Sequence, residues 1–156
     1  MLVISLNAEK PGSLSKWMGP GGLGVSAWRT ETSSDLDGAR RTIESVVESV
    51  SGEPTAEQLR SIWRAYLAVE KSIVFIRVEI DEENPGRFLK AKAYSVPDER
   101  QALQFALGNL KKGSESFRLG DFKQALKELR ESRNYLRALL REKRIQKVRK
   151  ARSRPD

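Results

Sequence analysis

Phosphate neutralisation is the chemistry for which this chain carries the most suitable residues. Lys123, Lys127, Arg130, Asn134, Arg137, Arg141 and Arg144 recur at alternating steps of four and three, which sets them on one stripe of a helix. Lys147, Arg149 and Lys150 continue the basic run. Residues 141–156 hold eight Lys/Arg against two acids, +6 of the chain's +8 net charge. Glu128, Glu131 and Glu142 fall on the other flank, so the charge is segregated. One-sided positive charge suits a polyanion such as the backbone of RNA or DNA, although a charged helix face can equally serve solvation alone. Tyr135 is the one ring nearby and lies off the stripe, so base stacking is not expected on this helix.

Other chemistries find little support. Histidine and cysteine are both absent, which removes thiol and imidazole nucleophiles, disulfides, and thiolate or imidazole metal sites. No catalytic residue, cofactor or metal is expected. Glu79, Asp81, Glu82 and Glu83 cluster, but they crowd a turn, where acids are usually solvated. Gly19-Pro20-Gly21-Gly22-Leu23-Gly24 spells G-x-G-x-x-G. That motif cradles a pyrophosphate only between a strand and a helix. Here Val25–Arg29 reads as a strand, so the glycines predict a flexible loop over 10–24. Arg77, Phe88, Lys90, Lys92 and Tyr94 offer a second basic and aromatic surface.

The elements that position these residues are read from periodicity. Leu2–Leu6 suggests a short strand. A helix follows the N-cap candidates Ser33, Ser34 and Asp35, with Leu36, Ala39, Ile43, Val46, Val47 and Val50 inward and Gly52 just past its end. Thr55 and Gln58 form a capping box for a second helix that buries Leu59, Ile62, Trp63, Tyr66, Leu67 and Val69. Residues 71–96 carry two patterns. Val74, Ile76, Val78 and Ile80 alternate as in a strand, Pro85-Gly86 suits a turn, and Leu89, Ala91 and Ala93 alternate after it. Yet Ile62, Tyr66, Val69, Ile73, Ile76 and Ile80 also fit one long helix. The β-branched content favours an antiparallel hairpin over 72–95. A third helix, capped near Ser95–Asp98, buries Leu103, Ala106, Leu107, Leu110, Gly113 and Phe117. Gly120-Asp121 breaks the chain. The last helix buries Phe122, Ala125, Leu126, Leu129, Leu136, Leu139 and Leu140, and should fray past Arg149.

Gly113, the turn Gly120-Asp121-Phe122, Ala125, Leu129 and Ser132 give residues 106–139 a resemblance to a single tetratricopeptide-type helix hairpin. That resemblance implies two closely approaching antiparallel helices. Lys112, Ser116 and Arg137 depart from the repeat's pattern. An array needs about three stacked repeats, and no second copy is visible.

The sequence therefore predicts an α+β, helix-dominated fold with about four helices and a small antiparallel sheet, with an all-α fold as the rival. Residues 1–140 read as one domain and 141–156 as a basic helical extension and tail. No apolar run approaches a membrane span, and a cytoplasmic location is expected. The expected function is non-enzymatic contact with nucleic-acid backbone through Lys123, Lys127, Arg130, Arg137, Arg141, Arg144, Lys147, Arg149 and Lys150. The alternative is a protein-interaction module that uses the C-terminal helix hairpin, with the tail as a solubilising extension.

Overall fold

Four helices follow one another along the chain in the computed structural model, which describes residues 23–81 and 98–153. They are α1 (Leu23–Ser49), α2 (Ala56–Glu79), α3 (Glu99–Arg118) and α4 (Phe122–Arg152). Among the described residues there is no strand. The fold there is all-α, and the expected α+β class with its small sheet is overturned.

The hairpin fails at its first strand, because Lys71–Glu79 is the continuation of α2. Both readings were present in the residues. Extending an existing helix adds a hydrogen bond per residue without a new nucleus, whereas a lone two-stranded hairpin is marginal in water. The helix also buries Ile73 and Ile76 in the core and leaves Val74 half exposed, an exposure pattern that strand alternation does not give. Lys71 reinforces it, reaching Glu31 at 2.5 Å and Asp35 at 3.3 Å on α1. The proposed second strand, the N-terminal strand at Leu2–Leu6 and most of the 10–24 loop lie outside the described residues.

The strand expected at Val25–Arg29 is likewise helix. α1 starts at Leu23 and passes through Ser33, Ser34 and Asp35 without a break. Trp28 explains the gain. Its side chain is fully buried and packs edge-on against Phe117 and tilted against Phe122, so the extra turns close one end of the core.

Local signals hold elsewhere. Thr55 accepts from the Gln58 amide at 3.1 Å, and the Gln58 side chain accepts from the Thr55 amide at 2.9 Å. Asp98 caps α3 by accepting from the amides of Arg100 and Gln101. Gly120, at φ 82°, turns the chain through a conformation that side chains resist. Asp121 then caps α4 through the Gln124 amide.

The helices form a four-membered ring in which α1 packs on α2, α2 on α4, α4 on α3 and α3 on α1. Cross-helix pairs show that each of these neighbours is antiparallel. Gln58 meets Ser49 while Lys71 meets Glu31, and Glu53 meets Lys143 while Glu70 meets Arg133. α2 and α3 are therefore diagonal and parallel. The core runs along the axis through Leu36, Ile43, Ile62, Val69, Ile76, Leu103, Leu110, Leu129, Leu136 and Leu139. α3 and α4 approach closely at Gly113, where a Cβ would stand 2.7 Å from a Leu129 methyl. Ser132 donates to the Ala106 carbonyl at 2.7 Å beside it.

Candidate nucleic-acid interface

Among the described residues, α4 runs on past the end of the ring. Leu136 and Leu139 are buried, and Lys143 still pairs with an acid of the bundle. Its ammonium reaches Glu99 at 2.5 Å and Glu53 at 3.2 Å, with 11% of the side chain exposed. Burial works against that charge, but hydrogen bonds to Glu99 and Glu53 outweigh it, and the Lys143 pKa stands above its ordinary value. The same hydrogen bond, with the Glu99 backbone amide, holds the Glu99 carboxyl below its ordinary value.

Past Lys143 the helix continues to Arg152. At 1.5 Å per residue the segment 144–152 projects about 13 Å. Arg144, Lys147, Arg149, Lys150 and Arg152 are all exposed, and none pairs with an acid among the described residues. Helix persists beyond Arg149, where fraying was expected. Its end is consistent with local electrostatics, since Arg149, Lys150 and Arg152 occupy the last turn, where cations offset the carbonyl end of the helix dipole.

The upstream part of the stripe divides in two. Lys123, Lys127, Arg137 and Arg141 are exposed, whereas Arg130 and Asn134 are half-buried. Arg137 leans towards α2, because a 3.5-residue repeat on a 3.6-residue helix drifts by about 20° per heptad. Its guanidinium lies 3.5 Å from Glu70 and also bonds the Tyr66 hydroxyl, which raises the already high Arg137 pKa. Arg133 reaches the other Glu70 oxygen at 3.2 Å. The structure thus brings Lys123, Lys127, Arg141, Arg144, Lys147, Arg149 and Lys150 to an open surface, and leaves Arg137 exposed there but paired with Glu70 of α2. Glu128 is turned to α3, where Ser116 donates to it at 2.6 Å. The charge segregation seen in the sequence is therefore kept in three dimensions.

Two features were missed. Trp63 and Leu67 do not enter the core: they are 49% and 46% exposed on the outer face of α2. Trp63 stacks on Tyr66 with centroids 5.4 Å apart, and Tyr66 donates to Glu70 at 2.8 Å. Burial raises the Tyr66 pKa, with Glu70 adding to it and the Arg137 hydrogen bond opposing. Lys143 was also missed as an anchor, although its steps of seven and four from Leu136 and Leu139 place it on the buried flank. Arg77 belongs to α2, while the other members of the second expected surface, Phe88, Lys90, Lys92 and Tyr94, lie outside the described residues.

Among the described residues, no group of three or more acidic side chains is placed to hold a metal ion, and no helix is long and apolar enough to cross a membrane. The described architecture is a four-helix ring with one basic helix extended beyond it. No protein-family model, curated protein or solved structure matches the chain.

Proposed function

We propose that this protein is a non-enzymatic binding or accessory protein that contacts nucleic-acid backbone through the exposed face and extension of α4. The observation that carries the reading is the segment 144–152 of α4, which holds five cations and no acid and whose described side chains are all exposed. Arg144, Lys147 and Lys150, at steps of three, lie along one side, and Arg149 and Arg152 turn to others. Lys123, Lys127 and Arg141 carry the positive surface back along the bundle.

The test is the salt dependence of binding. Affinity for a generic nucleic acid should fall with a log–log slope of about −0.7 to −0.9 per phosphate neutralised. Changing Arg144, Lys147, Arg149 and Lys150 together to Gln should weaken binding to all sequences alike and make that slope shallower. Absence of salt-sensitive binding to DNA or RNA at low ionic strength refutes the reading. A second reading, a protein-docking site on the α3–α4 hairpin, draws on Phe105, which is half exposed and packs against Tyr135 at 5.4 Å. Loss of a specific protein complex in Phe105→Ala, with nucleic-acid binding absent from the parent chain, would favour it.

A further inference from the structure

We propose that the stacked Trp63–Tyr66 pair is a base-stacking platform, which makes the nucleic acid taken by this protein single-stranded; this rests on the backbone-binding reading above. The sequence shows no ring on the basic stripe. Packing of α2 against α4 supplies one from the neighbouring helix.

Three observations converge on Trp63. Its indole is half exposed and lies nearly parallel to the Tyr66 ring, at an interplanar angle of 26°. Tyr66 is fixed from beneath, since its hydroxyl donates to Glu70 and Glu70 is held in turn by Arg133 and Arg137 of α4. The platform is therefore ordered before any ligand arrives, and little side-chain entropy is lost on stacking. Cations flank it on both helices. Arg60 and Arg64 are exposed on α2 and pair with no acid among the described residues. Because α2 and α4 are antiparallel, Trp63 stands one turn from Tyr66 in the direction in which α4 proceeds from Arg137 to Arg141 and Arg144.

A ring bordered by phosphate-binding cations is the arrangement that takes single strands, because every base offers a face to stack. A duplex keeps its base faces within its own stack and gains nothing from Trp63. Leu67 and Val74 prolong the apolar strip along α2, as a protein partner would use it, but the unpaired arginines gather at the Trp63 end.

The experiment compares a labelled oligothymidine strand, an abasic strand of equal length and a duplex, by fluorescence anisotropy at low salt. The full chain should bind oligothymidine more tightly than the abasic strand. Trp63→Ala should cut oligothymidine affinity roughly tenfold, the effect of losing one stacked base. It should leave the duplex and abasic affinities and the salt slope unchanged. Trp63→Phe should keep most of the affinity, and Val74→Ala should change nothing. If Trp63→Ala leaves oligothymidine binding intact while the parent chain binds the duplex, stacking is refuted and the backbone reading survives. If the parent chain binds none of the three, both fall. Self-association that Trp63→Ala and Val74→Ala abolish together would make this face a contact between copies and overturn the proposal.

Discussion

Gly113 shows how much a single atom decides in this protein. The gap between α3 and α4 is set there, with Leu129 filling the space where a Cβ would stand. Gly113→Ala should therefore lower stability by about 1–3 kcal/mol through overpacking, read as a fall in the denaturation midpoint. Gly108, on the same helix, has nothing within 4 Å of the corresponding position. Gly108→Ala should raise stability by about 0.5–1 kcal/mol, since alanine is the better helix former. Lys143 is the other decisive residue. Lys143→Met should cost about 1–2 kcal/mol by leaving Glu99 and Glu53 unpartnered. The pH signature follows from the directions of the two shifts. Glu99 is lowered, so its contribution is complete above its unfolded value of 4.5 and is lost as pH falls through the depressed folded value. Lys143 is raised, so its contribution is complete below 10.5 and is lost as pH rises through the elevated folded value. A stability profile of Lys143→Met should be flatter than that of the parent chain in both windows.

At the scale of elements, α2 holds the main lesson. Residues 71–80, which run to its C-cap Ile80, satisfy a two-residue and a 3.6-residue pattern at once, because Ile76 and Ile80 belong to both. Local propensity leaned to the strand. The buried stripe Ile62–Val69–Ile73–Ile76 and the Lys71 pairs to α1 favour the helix. Val74→Pro tests this directly. Val74 is half exposed, so little packing is lost with its side chain, yet a proline inside a helix costs about 3 kcal/mol. Circular dichroism should show a loss of helix together with a lowered melting temperature. In an edge strand, where proline is tolerated, the loss would be small. α4 is the contrasting element, because its apolar residues, its Asp121 cap and its basic stripe all agree on one helix.

For the molecule as a whole, the prediction is that the extension can be removed without unfolding the bundle. Lys143 pairs with Glu99 and Glu53, and Arg144–Ser153 is exposed wherever its side chains are described. Truncation after Lys143 should leave the melting temperature within a few degrees of the parent, since surface changes away from packed features are usually within about 0.5 kcal/mol. It should weaken nucleic-acid binding and make the salt slope shallower. A large loss of stability would show that the extension packs in solution.

The sequence by itself determined the helices with caps and one clear period. α3, α4, the Thr55–Gln58 box and the Gly120 turn were legible because their signals lie within a few residues of each other. It also determined the charge segregation of α4, which depends on spacing alone. The absence of histidine and cysteine closed whole classes of chemistry without any structure. Tertiary structure decided what depends on distant partners. Residues 71–79 became helix because α1 and the core offered burial and countercharge. Val25–Arg29 became helix because Trp28 found Phe117 and Phe122. Arg137 was drawn towards α2 because Glu70 and Tyr66 stand opposite it. Trp63 came to lie beside the basic stripe through the pairing of α2 with α4, a contact between residues some 70 positions apart that no local pattern encodes.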